Sequence, residues 1–123
     1  MGSVRGRVAI SDIQGKSKVE ANALFDTGSD ITVVSKNLAE KAGLTVTNKI
    51  FQLTLGDKSK ADYHPAFGMI TVKGCKMPLL GGVLIKRDPP SECIVGLNMM
   101  ELMGITLDPK TRSYTVSCKL PRV

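Results

Sequence analysis

Short runs of alternating apolar and polar residues along the 123-residue chain predict a structure made mostly of β-strands. Turn residues, chiefly Gly, Pro, Asp and Lys, separate these runs and indicate hairpins where two runs lie close in sequence. The strands are predicted at residues 4–11, 18–25, 31–34, 51–55, 60–66, 67–72, 75–79, 83–85, 93–95, 105–107 and 113–118. This pattern favours an all-β domain, either closed or sandwich-like.

Two short helices interrupt the strands. Ser35 is a good N-cap residue, so a helix is predicted over residues 36–42, ended by Gly43. A second helix is predicted to begin at Asn98, with Glu101 three residues later in a variant of the capping box.

The size of the chain favours one domain spanning residues 1–123. Aromatic residues are scarce, with no Trp, two Tyr and three Phe, so aliphatic residues and Met are expected to fill the core. No apolar stretch approaches the length of a membrane span, and no signal-peptide pattern is recognised. We therefore expect no membrane partner.

The formal net charge is +6 and the pI is about 9.4. Lys and Arg are dispersed and are not interleaved with aromatic residues, so a solvated basic surface is favoured over a nucleic-acid-binding face. A nucleic-acid-associated domain is a weaker alternative, which predicts binding that falls steeply with salt.

The chain has three cysteines, Cys75, Cys93 and Cys118, at wide spacing. No Cys-x-x-Cys pair or Cys/His cluster is present, so a metal site is not expected. A reducing, intracellular (cytoplasmic) setting fits this usage best, and one disulfide with one free thiol stays open as the alternative.

Residues 24–29, Leu-Phe-Asp-Thr-Gly-Ser, have the clearest chemical meaning. Two apolar residues end a predicted strand, and a tight turn follows that places the Asp26 carboxylate at the strand's end. Alone, Asp-Thr-Gly fits an Asx-type turn without chemistry. The helix about ten residues later and the segment 94–98, Ile-Val-Gly-Leu-Asn, some 70 residues downstream make the combination more specific.

Over roughly residues 5–116 this order of motifs resembles the retropepsin-like aspartic proteases, whose active-site turn is Asp-Thr/Ser-Gly. The resemblance implies a closed acid-protease barrel with one or two short helices. Because the chain carries the motif once, it also implies a homodimer with the active site at the two-fold interface. The apolar strand before Gly96 would thread beneath the active-site turn, and this glycine would permit a close backbone approach.

The resemblance further implies that Asp26 of each protomer activates a water for peptide hydrolysis, with no metal or other cofactor. Two neighbouring carboxylates do not both ionise easily, and the aspartic-protease pair, itself the standard instance of this effect, holds one proton at mildly acidic pH. Thr27 would bond across the two-fold axis and fix the two acids. Gly28 would leave room for the substrate backbone.

Protein or peptide substrates are expected to bind in extended form with apolar residues around the cut bond. Ser29 either bonds the outer oxygen of Asp26 or is a plain turn hydroxyl, and Asp30 lies where the family caps substrate amides. The hairpin of residues 51–65 matches the position of the family's flap. The other substrate-binding candidates are Leu55, Gly56, Asp57 and Ile94, with Ile85 and Val34 as further pocket walls.

Two features depart from the retroviral enzymes. Leu97 stands where they carry Arg after the glycine, so the Arg–Asp pair that braces their dimer is absent in that form; Arg5 or Arg7 of the partner is a hypothetical replacement. The predicted flap tip, residues 56–59, has one Gly and two charged residues. The alternative function is therefore a retropepsin-like dimerisation or peptide-binding module with little or no proteolytic turnover.

Overall fold

Ten strands and two helices make up the computed structural model, which describes residues 3–54 and 58–119. The strands are β1 (Ser3–Ser11), β2 (Val19–Asp26), β3 (Thr32–Val34), β4 (Thr45–Val46), β5 (Phe51–Thr54), β6 (Lys60–Val72), β7 (Cys75–Leu84), β8 (Cys93–Val95), β9 (Ile105–Asp108) and β10 (Ser113–Val116). The helices are α1 (Lys36–Ala42) and α2 (Leu97–Met103).

Six of these strands close into a barrel. They hydrogen-bond in the order β1-β2-β8-β3-β7-β6, and β6 pairs back with β1. The short strands β4 and β5 also pair with β6, and β9 and β10 form a separate hairpin. Strand β8 lies parallel to β2 and antiparallel to β3, so it threads between the two strands that flank the Asp26 turn. The predicted all-β closed fold is confirmed.

Strands β6 and β7 are longer than the sequence pattern predicts. The runs predicted separately at 60–66 and 67–72 are one strand, and the run at 83–85 is mostly the end of β7. One flank of β6 pairs in turn with β5, β4 and β1 while β7 pairs along the other, which keeps the strand extended past Pro65. The two-residue strand β4 was not predicted, because it is too short to show alternation.

The first helix follows its prediction and the second does not begin as predicted. The Ser35 hydroxyl accepts a hydrogen bond from the Leu38 backbone N–H at 3.1 Å, and Gly43 ends α1 in the left-handed conformation at φ 69°. The N-cap of α2 is Gly96, without a side-chain cap, so the prediction of Asn98 as the cap is wrong. The Asn98 side chain is instead engaged by other elements, as described below.

The main core fills the barrel and the space under the two helices, and it is built largely from aliphatic residues and Met, as the composition predicts. Its largest fully buried side chain is Phe25 of β2, whose ring lies 4.5 Å from that of Tyr114 in β10. This contact holds the β9–β10 hairpin against the barrel, since burying aromatic surface on both sides is favourable.

The three cysteines form one disulfide and one free thiol, the arrangement that the sequence left open. Cys75 at the start of β7 is bonded to Cys118 after β10, with a Cα–Cα distance of 5.5 Å. Cys93 is free and fully buried in β8, and burial, with a smaller contribution from Glu92, raises the pKa of its thiol to about 12. Within the described ranges, neither helix is long and apolar enough to cross a membrane.

Candidate active site

Asp26 is the last residue of β2, and the backbone around it forms a tight turn. Its Oδ1 accepts a hydrogen bond from the Gly28 N–H at 2.8 Å, and its carbonyl oxygen accepts one from the Ser29 N–H at 3.2 Å. Asp26 as a whole residue is half-buried. The first of these bonds orients one carboxylate oxygen along the turn, so the side chain is held at a defined direction at the strand's end.

The residues after Asp26 differ in exposure. Thr27 and Asp30 are exposed, Gly28 is half-buried, and Ser29 is 2% exposed. The Ser29 hydroxyl donates to the carbonyl of Ile31 at 2.7 Å, which is the plain turn role and not a bond to Asp26. Thr27 and Asp30 are therefore the solvent-exposed polar side chains of the turn.

The turn rests directly on the start of α2. The Leu97 N–H donates to the Ser29 carbonyl at 2.8 Å, and the Asn98 N–H donates to the Asp30 carbonyl at 3.1 Å. A Cβ on Gly96 would lie 2.7 Å from the Ser29 carbonyl oxygen and would clash with the carbonyl of Ile31. The close backbone approach predicted at this glycine is therefore present, and it packs two distant segments of the chain together.

A buried polar pair braces the same junction, and sequence reasoning missed its role. Thr32 is fully buried; its hydroxyl donates to Asn98 Oδ1 at 2.9 Å and accepts from the Gly96 N–H at 3.0 Å. Asn98 Nδ2 donates to the Leu80 carbonyl at 2.6 Å, which extends the network to β7. The available signal was a hydroxyl inside the apolar run 31–34, since a buried polar side chain requires a partner.

A second, smaller hydrophobic cluster lies between the barrel and the β5–β6 hairpin. Ile31, Ala61 and Tyr63 pack against it at its edge. We call it the small cluster, and its buried members are Val33, Leu53, Leu84 and Ile94. It lies next to the Asp26 turn, because Ile94 is paired with Leu24, two residues before Asp26.

The small cluster contains some of the predicted pocket residues and not others. Ile94 belongs to it. The prediction for Val34 is wrong: Val34 belongs to the main core, because successive side chains of a strand point to opposite faces and Val33 takes the cluster side. Ile85, half-buried just after β7, lines a different groove, beside α1. The candidates Leu55, Gly56 and Asp57 lie outside the described residues.

The chain belongs to the family described as "gag-polyprotein putative aspartyl protease", whose sequence model matches residues 11–102. The matched segment contains the Asp26 turn, the β5–β6 hairpin and the start of α2. A sequence comparison with curated proteins gives no match.

Two solved structures share the fold. The retroviral protease-like domain of Ddi1 from Leishmania major is similar over 96% of this chain and 90% of that one, with a TM-score of 0.59 and 17% identity. A retropepsin-like aspartic protease from Rickettsia conorii is similar over 87% of this chain and 88% of that one, with a TM-score of 0.51 and 18% identity. The retropepsin-like fold and family membership are thus established.

Proposed function

We propose that this protein is an aspartic endopeptidase that acts as a homodimer, with Asp26 of each protomer in one catalytic pair. The observation that carries the proposal is the Asp26 turn itself: the carboxylate of a half-buried residue at a strand end, oriented by the Gly28 N–H and seated on α2. Because the chain contains one Asp-Thr-Gly sequence, a second copy has to supply the other acid.

In the proposed reaction the two Asp26 carboxyl groups share one proton. The ionised carboxylate accepts a proton from a water molecule held between the two groups, and the resulting hydroxide attacks the carbonyl carbon of the scissile peptide bond. The protonated Asp26 donates its proton to the carbonyl oxygen, which gives a neutral gem-diol. In the collapse step the Asp26 that took the proton from water gives it to the leaving nitrogen, and the other Asp26 accepts a proton from a gem-diol hydroxyl, so an amine and a carboxylic acid are released. The pair again holds one proton, so the chain's own residues suffice for each step.

The surface beside Thr27 supports association with a second copy. Thr27 lines a groove of about 340 Å³ together with Leu97, Met100 and Leu107, so apolar surface adjoins the catalytic turn. In the proposed dimer, Thr27 bonds to the partner's turn and the surrounding apolar side chains exclude water from that contact. Leu97, which replaces the arginine of the retroviral enzymes, then contributes hydrophobic area to the interface where those enzymes use charge.

The substrate is proposed to bind as an extended strand beneath the β5–β6 hairpin. Backbone hydrogen bonds would hold it there, with Asp30 accepting from substrate amides and Gly28 leaving room for the chain. The small cluster offers an apolar wall that includes Ile94 and Leu53. Peptides with apolar side chains around the cut bond are therefore the proposed substrates.

The decisive experiment is cleavage of a peptide library from about pH 3 to about pH 7 by the wild type, the Asp26→Asn variant and the wild type with pepstatin. We expect cleavage at acidic pH, loss of at least about 10³-fold in kcat for Asp26→Asn, and inhibition by pepstatin. Sedimentation of each preparation measures whether it is dimeric. A folded, dimeric wild type that cuts nothing would refute the protease proposal and favour the peptide-binding module.

A further inference from the structure

A basic pocket of about 230 Å³ opens at the edge of the β5–β6 hairpin, beside the small cluster. Its charged lining residues are Lys60 and Asp62 of β6, and Lys86 and Arg87 just after β7. Among the lining residues that the structure describes, three cations and one carboxylate leave a net charge of +2. This local excess is built by the fold, since β6 and the segment after β7 are remote in sequence.

The loop that carries two of these cations is held against β6. The Ile85 N–H donates to the Asp62 carbonyl at 3.1 Å, and Arg87 Nη2 donates to the Ser59 hydroxyl at 3.3 Å. The hydroxyl that Arg87 contacts is neutral, and the Arg87 side chain is exposed. Lys60 and Lys86 are exposed, so their ammonium groups reach the pocket opening at little cost in desolvation.

The basic pocket is continuous with the small cluster. Leu84 belongs to the small cluster and also lines the pocket, and Ala61 packs against the cluster while lining the pocket. An extended peptide advances about 3.3 Å per residue. A peptide with an apolar side chain against the small cluster therefore brings a neighbouring side chain, one or two residues along, to the cations.

We propose that this pocket selects substrates with an acidic residue, Glu or Asp, next to the apolar residue bound at the small cluster. The proposal rests on the proposed protease function and adds to it a substrate class: acidic–apolar sequences near the cut bond. Lys86 and Arg87 determine this specificity. The Asp62 carboxylate repels a second acidic side chain, so it limits the preference to one acidic residue. Each contact lies near solvent, so rising ionic strength weakens the preference.

The test uses a cleaved peptide from the library screen, made in Glu, Gln and Lys versions at each position within two residues of the apolar site. We expect the wild type to favour the Glu version over the Gln version by about fivefold in kcat/KM at low salt, as about 1 kcal/mol of exposed charge attraction allows. The double variant Lys86→Glu/Arg87→Glu is expected to reverse the order and favour Lys. The control, Lys16→Glu/Lys18→Glu, makes the same charge change in the exposed turn between β1 and β2 and should keep the preference for Glu.

A binding measurement separates this proposal from the protease proposal. Fluorescence anisotropy of labelled extended apolar peptides, made in the same Glu, Gln and Lys versions whether or not the screen gives a cleaved peptide, reports selection by the Asp26→Asn variant without turnover. Tighter binding of the Glu peptide, lost in the Lys86→Glu/Arg87→Glu background, supports the basic pocket even if no preparation cuts peptide. If the Gln and Glu versions are cleaved at equal rates, or bind equally well, the basic pocket does not select acidic residues. Neither result contradicts the protease proposal.

Discussion

The two sides of the candidate cleft are held together by different forces. On the Asp26 side, backbone hydrogen bonds from α2 and the buried Thr32–Asn98 network fix the turn. On the hairpin side, the short strand β5 is held by pairing with β6 and by the packing of its Leu53 against the three other buried residues of the small cluster. Directional bonds place the carboxylate, whereas the proposed substrate wall depends on a small apolar contact, which we expect to open at lower free-energy cost than the barrel core.

The largest effect should come from filling the close approach under the turn. Gly96→Ala forces a methyl group into the backbone of residues 29–31, so we expect a loss of about 3 kcal/mol or more in the free energy of unfolding. Gly74→Ala is the control, because a Cβ there would meet no atom within 4 Å. Its only cost in the free energy of unfolding comes from the left-handed backbone at φ 79° and should be about 1 kcal/mol. Urea denaturation measures both, and equal losses would show that the turn can move away from α2.

The next effect should come from the buried polar network. Thr32→Val keeps the shape but removes the hydroxyl, which leaves the Gly96 N–H and Asn98 Oδ1 without that partner, at a cost of about 2 kcal/mol. Thr115→Val, on the exposed face of β10, is the matched control and should change stability by less than about 0.5 kcal/mol. If the proposed function is correct, Thr32→Val also lowers kcat more than it raises KM. A Thr32→Val protein with unchanged stability and activity would show that the Thr32–Asn98 network does not support the site.

On the hairpin side a smaller stability change is expected. Leu53→Ala removes one wall of the small cluster and should cost about 1–2 kcal/mol, at or below the usual range for a buried leucine, because the cluster has few members. Phe51→Ala, on the same strand but 52% exposed, is the control. For the proposed enzyme, Leu53→Ala should raise KM with little change in kcat. A loss in the free energy of unfolding larger than that of Thr32→Val would show that the hairpin side is held more strongly than the Asp26 side.

Near neutral pH the smallest effect is a dependence of stability on alkaline pH, because it sets in only as the pH rises above 9.0. Burial raises the pKa of the Cys93 thiol from 9.0 to about 12, so the folded protein keeps this thiol protonated where the unfolded chain ionises it. The stabilising contribution is complete below pH 9.0 and is lost as the pH rises from there toward 12. We expect the Cys93→Ala protein to lose stability less steeply with pH over that interval, and folded wild type to resist thiol-alkylating reagents at pH 8. Rapid labelling of the native protein would show that β8 opens.

The sequence predicts best what short-range chemistry decides. Helix α1 begins after Ser35 and ends at Gly43 because both caps act through their own neighbours. Asn98 carries an equally good local cap signal, but its amide is used by Thr32 and by the Leu80 carbonyl, and neither partner is visible in the local pattern.

Side-chain direction and cysteine pairing could not be predicted from the sequence either, because both depend on contacts between segments that are distant along the chain. Val33 and Val34 are indistinguishable in composition, and the register of β3 against β8 decides which of them enters the small cluster. Three cysteines allow three pairings, and the docking of the C-terminal segment near the start of β7 selects Cys75 with Cys118. The Asp26 turn was predictable because the strand end, the acid and Gly28 lie next to one another in sequence.

The threading of β8 between β2 and β3 also orders events in folding. The hydroxyl of Thr32 and the amide of Asn98 that complete the site are 66 residues apart, so neither can be satisfied until most of the chain has been made. Contacts of such sequence separation carry a loop-closure cost and form slowly compared with local hairpins. During synthesis, the residues of the Asp26 turn therefore emerge before the residues that support them, and a chain that ends before Asn98 lacks an assembled site. The chain topology alone thus delays the assembly of the Asp26 site until the strand before α2 has docked.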